Sequence, residues 1–308
     1  MRIAVLGPGG VGGLLAGALQ RSGADVVVVA RDTTAARISE RGLRVDSVRL
    51  GEFISHPRAV EVLEEPVGAL LVATKAAGLE PALERVRSEP DVVLPLLNGL
   101  DHLAVLRERL AATVLAGSIR VEADRPHPGV VVHTSPFLQV EMASAEPSAA
   151  PAMERLSRTL TDSGVPAEIR WPICARSEAQ VMWSKLVRLN GLACTTSAYD
   201  KLLGEIRSTP RLRADLLGAI AEACAVGRAE GAGDLDAART IAELDRAHDT
   251  LGSSMQRDIA AGRTPELDAI PGSVLRAAAR HDLECPTIER LVAMIAERAG
   301  IEPPLIRR

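Results

Sequence analysis

Aromatic side chains are nearly absent: two Trp, one Tyr and two Phe amount to 2% of 308 residues. Ala, Leu and Val must therefore fill any core, and no arrangement of stacking rings is available to hold single-stranded nucleic acid. Cysteine is equally sparse. Cys174, Cys194, Cys224 and Cys285 lie far apart and form no C-x-x-C pair, and no signal-like segment precedes the first apolar strand, so a cytoplasmic setting with reduced thiols is expected. No apolar run reaches the length of a membrane span. An excess of positive charge is also missing: 36 basic against 40 acidic residues leave a net charge of -4, which gives no general reason to bind nucleic acid or an anionic membrane. The six histidines include no pair at helical ligand spacing, and His127 and His133 sit in or beside a Pro-Gly turn and a short strand. No metal is expected.

What is present begins at the third residue. Ile3-Ala4-Val5-Leu6 is an apolar run, Gly7-Pro8-Gly9-Gly10-Val11-Gly12 follows it, and Leu14, Leu15, Ala18 and Leu19 continue at helical spacing. A glycine-rich turn between strand and helix is the dinucleotide fingerprint: Gly7 permits the turn, Gly9 lets the backbone approach a pyrophosphate and Gly12 lets the helix pack on the sheet. Gly10 and Val11 complete the loop, and the helix N-terminus presents unpaired N–H groups to the anion. Nineteen residues after Gly12, the strand-like run Asp25 to Ala30 ends in Arg31. An acidic residue there accepts from a ribose 2'-hydroxyl, whereas a cation suits a 2'-phosphate, so the expected cofactor is NADPH/NADP+. The plain alternative for Arg31 is a solvated cation at a strand end.

Length and composition, 47% apolar and 25% charged, allow two domains. The first half alternates short apolar runs with helical patterns, as an open, mostly parallel, doubly wound α/β sheet requires. Leu43 to Ile54 reads as a hairpin turning at Gly51. Ala69 to Ala73, Val92 to Leu97 and Thr113 to Ala116 read as buried strands, and Val130 to Val132 with Leu138 to Glu141 as a hairpin-like pair. Pro151 to Ser163 reads as a helix and Val165 to Ile169 as a last strand. From Ser177, placed in a capping box with Gln180, the pattern turns to long helices: Arg211 to Glu230, Leu235 to Thr250, Gly272 to Asp282 and Thr287 to Ala299, with Ser208-Thr209-Pro210 as a helix start. The boundary is set at Pro172, giving residues 1–172 as a cofactor-binding Rossmann domain and 173–308 as an all-α domain, with the site expected where the two meet.

Reduction of a ketone needs a proton donor near the carbonyl and an anchor for the substrate. Four stretches offer such groups: Asn98-Gly99 after a buried-type strand, Lys185 after Trp183, Ser253-Ser254-Met255-Gln256-Arg257-Asp258, and Thr264-Pro265-Glu266. Each also has an ordinary explanation. Asn-Gly favours a turn, Lys185 could be a surface lysine, Ser253 a plain cap with Gln256, and Glu266 a first-turn carboxylate at another helix start.

Taken in order, Gly7 to Gly12 with Arg31, Asn98-Gly99, Trp183-Ser184-Lys185-Leu186-Val187, and Ser253 to Asp258 followed by Glu266-Leu267-Asp268 resemble the ketopantoate reductase (2-dehydropantoate 2-reductase) family over nearly the whole chain. The resemblance implies a Rossmann domain followed by a helical domain of the 6-phosphogluconate dehydrogenase C-terminal type, used for substrate binding and dimerisation. It implies NADPH-dependent reduction of 2-dehydropantoate to pantoate, a small 2-oxo acid as substrate and a homodimer. By the same resemblance Lys185 is the catalytic proton donor, Glu266 the carboxylate that orients it, Ser254 a ligand of the substrate carboxylate, Asn98 a residue near nicotinamide and substrate, and Lys75 a basic cofactor contact.

One departure stands out. The family places asparagines four and eight residues after the catalytic lysine; here Leu189 and Ala193 occupy those positions, and Asn190 is five residues on. At about 100° per residue Asn190 lies about 140° around the helix from Lys185. Either a local bulge returns Asn190 to the site as a substrate ligand, or the alignment slips by one, or the pocket is more apolar and the substrate is another branched 2-oxo acid without the terminal hydroxyl. A reading from another class is an NADP-binding regulatory protein without turnover.

Overall fold

Val26-Val27-Val28-Val29 shows no polar alternation because both of its faces are covered. In the computed structural model, which describes residues 1–306, these four residues form β2 (Val26–Val29) of a six-stranded parallel sheet. Its other strands are β1 (Ile3–Leu6), β5 (Arg58–Val60), β6 (Ala69–Val72), β7 (Val92–Pro95) and β8 (Thr113–Val114), in the order β5-β2-β1-β6-β7-β8. Along β1, Ile3 and Val5 enter one apolar layer and Ala4 and Leu6 the other. The order reverses between β1 and β6, and the carboxyl edge of such a switch point is where open sheets bind ligands. Gly7 follows β1 there, and Thr74 follows β6 two residues after its end.

Two smaller sheets flank it. One has the order β10 (Ala123–His127), β11 (Val130–His133), β3 (Leu43–Ser47), β4 (Gly51–Ser55), and the other β13 (Ala167–Ile169), β12 (Gln139–Ala143), β9 (Ala116–Arg120). β3 and β4 form the expected hairpin, closed by the Ser47 hydroxyl, which accepts from Arg49 N at 3.2 Å and Leu50 N at 2.9 Å. The expected pairing of Val130–Val132 with Leu138–Glu141 does not form. β11 pairs in parallel with β3, while β12 pairs with β9 and β13. The cause is His133: its imidazole is buried, with Nδ1 2.7 Å from Ser47 Oγ and Nε2 3.1 Å from Ser135 Oγ, which pins β11 to β3. Burial pushes the His133 pKa down, favouring the neutral ring that these hydroxyls can both serve. Thr113 to Ala116 is likewise not one strand. At Leu115 the chain leaves the large sheet through β8 and enters the third sheet as β9.

The second half is helical: Ala175–Tyr199, Leu203–Ser208, Pro210–Ala229, Ala237–Arg246, Ser254–Ala260, Ser273–Arg280 and Pro286–Ala299. The first of these starts earlier than the Ser177 capping box predicts. The Cys174 carbonyl accepts from Ser177 N and Glu178 N, and the Ser177 hydroxyl, instead of capping, donates to Pro172 O at 2.5 Å. Pro210 does open its helix as the first residue, where a missing N–H costs nothing. The chain divides into two compact units, one comprising 1–97 and 102–181, the other 98–101 and 182–308. The division falls within the helix Ala175–Tyr199. Among the described residues no helix is long and apolar enough to cross a membrane.

Candidate active site

In the first unit, the turn after β1 is built by backbone proximity. Gly7 has φ +89°, donates its N–H to Val29 O at 3.1 Å and accepts from Gly9 N at 2.8 Å. A Cβ on Gly12 would lie 2.2 Å from the Gly7 oxygen and 3.1 Å from the Ala73 side chain, so only glycine lets the helix Gly10–Arg21 come this close to the strand ends. Gly9 caps that helix without a side-chain acceptor, leaving the first-turn N–H groups, Val11 among them, without an intrahelical partner. Gly10 backs onto the Ala123 carbonyl, which an added Cβ would approach to 2.2 Å. Beside Gly9 there is room, an added Cβ making only an ordinary contact with Ala73 O at 4.0 Å.

Three side chains complete this end. Thr74 packs against Gly7, and its buried hydroxyl has no hydrogen-bond partner. Lys75 is exposed at the start of the short turn Ala76–Gly78. Arg31 is exposed at the start of the helix Asp32–Arg41, and among the described residues its guanidinium makes no hydrogen bond or ion pair. Room beside a glycine turn, a helix N-terminus, an orphaned hydroxyl and an unpaired cation are the chemistry that a dinucleotide with its phosphates requires. Thr74 was not singled out by sequence; its signal is only that it follows the strand next to the glycine loop.

In the second unit the segment Asn98–Asp101 meets the stretch around Glu266. Gly99 has φ +87°, and a Cβ there would lie 2.1 Å from the Ala269 oxygen. Glu266 does not start an α-helix as expected. It precedes a π-helical turn, Asp268–Gly272, that runs into the helix Ser273–Arg280. Pro271 has no N–H to give an α-type bond, and Gly272 N reaches back five residues to Leu267 O at 3.1 Å. The close fit of Gly99 on this turn brings Asn98 Nδ2 within 2.9 Å of Glu266 Oε2, to which it donates.

Lys185 is half-buried on the helix Ala175–Tyr199. Burial pushes its pKa down from the usual lysine range to about 8, and the Glu266 carboxylate opposes that fall. The structure thus groups three of the predicted residues: Asn98 is bonded to Glu266, and Glu266 acts on Lys185. An ammonium with a pKa near 8 exchanges protons readily at neutral pH, and the Glu266 carboxylate, itself bonded by the Asn98 amide, favours its charged form.

Two predicted substrate ligands stand apart from this group in their described contacts. Ser254 is exposed as the first residue of the helix Ser254–Ala260, while its neighbour Ser253 is the buried cap that accepts from Gln256 N at 3.0 Å. Asn190 is completely buried. Its Oδ1 accepts from Cys194 Sγ at 3.4 Å and its Nδ2 has no partner. The helix is continuous α through this region, so no bulge turns Asn190 toward Lys185.

The sequence matches two family models, ketopantoate reductase PanE/ApbA over residues 3–146 and ketopantoate reductase PanE/ApbA C terminal over residues 179–299. A 2-dehydropantoate 2-reductase of Mycobacterium tuberculosis is 30% identical over 305 residues, covering 96% of this chain and 96% of that protein. An uncharacterized oxidoreductase of Bacillus subtilis, YkpB, is 28% identical over 303 residues, covering 95% and 97%. A solved PanE/ApbA family ketopantoate reductase from Ralstonia eutropha JMP134 superposes with a TM-score of 0.84 at 23% identity, over 97% of this chain and 99% of its own, which is a likeness of fold.

The Gly99 contact generates a direct test. Gly99→Ala places a methyl group against the Ala269 carbonyl in a backbone region that alanine disfavours. The substitution is expected to cost about 1–3 kcal/mol of stability in urea unfolding. It should also lower turnover about tenfold or more by drawing Asn98 off Glu266. Unchanged stability and turnover would mean that this contact does not set the geometry.

Proposed function

The chain belongs to the ketopantoate reductase family, and from that premise we propose that it reduces 2-dehydropantoate to pantoate with NADPH, Lys185 delivering the proton. As a member it is an oxidoreductase acting on a CH–OH group with a nicotinamide cofactor. The observation that carries the finer reading is the half-buried Lys185, its pKa near 8, under the influence of the Asn98-bonded Glu266.

The reduced nicotinamide, when bound, supplies the hydride to the 2-keto carbon. In this reading the first unit holds the cofactor. The N-terminus of the helix Gly10–Arg21 receives the pyrophosphate, Thr74 and Lys75 contribute a hydroxyl and a cation at the end of β6, and Arg31 pairs with the 2'-phosphate. The second unit acts on the substrate and carries the dimer contact. The Lys185 ammonium donates a hydrogen bond to the keto oxygen, stabilises the negative charge that develops there and transfers its proton as the alcohol forms. Glu266 keeps the ammonium charged and oriented, Asn98 holds Glu266, and Ser254 binds the substrate carboxylate. Lys185 must be protonated for reduction and neutral for the reverse oxidation, so reduction weakens and oxidation strengthens as pH rises through about 8.

A second reading of the substrate has its own observation. Leu189 and Ala193 are apolar, and Asn190 is sealed from solvent, so these three positions offer no accessible hydrogen bond to the terminal hydroxyl of ketopantoate. Burying that hydroxyl unpaired would cost about 1–3 kcal/mol. A branched 2-oxo acid without it, such as 2-oxoisovalerate, would then be the better substrate.

Steady-state oxidation of NADPH by the purified protein with ketopantoate, beside 2-oxoisovalerate, tests both readings. Preference for ketopantoate by tenfold or more in kcat/KM is the result expected of the first, and the reverse preference selects the second. No turnover with either acid would refute both. For the cofactor, Arg31→Ala should weaken NADPH binding roughly tenfold or more and leave NADH binding nearly unchanged; equal weakening of the two in titration would remove the assignment of Arg31 to the 2'-phosphate.

A further inference from the structure

Arg276 lies on the helix Ser273–Arg280, ten residues after Glu266. Its Nη2 donates to Asp101 Oδ2 at 2.6 Å and to the Asp268 carbonyl oxygen at 2.9 Å, while Nη1 donates to Asp268 Oδ1 at 2.7 Å. Asp101 is three residues beyond Asn98, and Asp268 is two beyond Glu266. One planar guanidinium therefore ties together two segments that already meet through Asn98 and Glu266 and through Gly99 and Ala269. The turn after Glu266 keeps the bonds from Ile270 N to Glu266 O at 3.0 Å and from Gly272 N to Leu267 O at 3.1 Å, but Pro271 cannot donate and the turn is π-helical. Side-chain bonds add to what this backbone ladder holds.

We propose that Arg276 is a positioning residue for the reaction: it clamps the Asn98–Asp101 turn to the Asp268–Gly272 turn, which keeps the Asn98 amide on Glu266 and the Glu266 carboxylate at Lys185. The clamp rests on the reading of Lys185 as proton donor. Asp101 and Asp268 are 47% and 73% exposed, so either ion pair taken alone would do little of this work. The Arg276 side chain itself is 24% exposed and makes three bonds in fixed fork geometry, and it is this geometry that transmits orientation between the two turns. The charged partners of Arg276 are Asp101 and Asp268, and Glu266 is the charged group that acts on Lys185 among the described residues. Loss of the clamp frees Glu266 to turn away, and Lys185 then loses the one charge that opposes its deprotonation.

The test measures, in the unmodified protein and in Arg276→Met, Asp101→Ala and Glu266→Gln, the pH dependence of Lys185 acylation by peptide mass spectrometry together with kcat and the KM for NADPH. Asp101→Ala removes one arm of the clamp at a side chain that is 47% exposed, so it remains informative should Arg276→Met fail to fold. In both clamp variants the labelling midpoint of Lys185 should fall by about half a pH unit or more, in the direction of Glu266→Gln. kcat should fall roughly tenfold at pH 7 with the KM for NADPH unchanged. A lower kcat with an unmoved labelling midpoint would reduce Arg276 to a structural role and overturn the proposal, as would variants identical to the parent in both respects. If the unmodified protein reduces no 2-oxo acid, the functional reading fails, while the labelling midpoint still decides whether the clamp sets the environment of Lys185.

Discussion

An ammonium taken out of water beside a single carboxylate is the constraint around which the second unit is organised. Burial favours the neutral amine of Lys185 and Glu266 favours the charged one, and the balance settles near pH 8. Such a balance depends on distance. In the proposed reading, a carboxylate free to rotate into solvent would leave less of the lysine charged at working pH, and one locked too close would hold the proton too firmly to release it. The surrounding structure therefore has to fix Glu266, and it does so with an amide from Asn98, a backbone fit at Gly99 and a turn that cannot be ordinary helix because Pro271 interrupts it.

The first unit meets a comparable demand by a different means. A parallel sheet covered on both faces allows strands as apolar as Val26–Val29, and the polar work is confined to the carboxyl edge. Glycine lets the helix, the turn and the neighbouring strand approach one another without side chains between them. What remains at that edge is room beside Gly9, N–H groups, one unsatisfied hydroxyl and an unpaired guanidinium. In the proposed reading these groups face phosphates, so in both units close backbone packing at glycines shapes the ground on which the charged groups act.

Most sheet strands and the long helices were legible because their signals are local: unbroken apolar runs, the glycine turn and helical periodicity; β5 and β10, short and partly exposed, carry no such run and were not read. Strand partners were harder to read, since β11 joins β3 rather than β12 through the buried His133, a contact between residues far apart in sequence. The start at Cys174 instead of Ser177 turned on which carbonyl the first N–H groups chose, which composition does not encode. Within the candidate site, residue types were readable from the ordered motifs, and the grouping of Asn98 with Glu266 came only with the structure. Arg276 carried no sequence signal of its own and Thr74 only its place after a strand, because an orphaned hydroxyl and a clamp between distant turns are properties of packing. The offset of Asn190 from the usual spacing was visible at once, and its complete burial was not.

The most direct measurement of the central claim is the pH dependence of kcat for NADPH-driven reduction by the unmodified protein at saturating 2-oxo acid. With Lys185 as the proton donor, kcat holds its plateau below about pH 8 and falls above it. A rate that stays level well beyond pH 9 would show that deprotonation of this lysine does not limit the reaction, and would contradict the account.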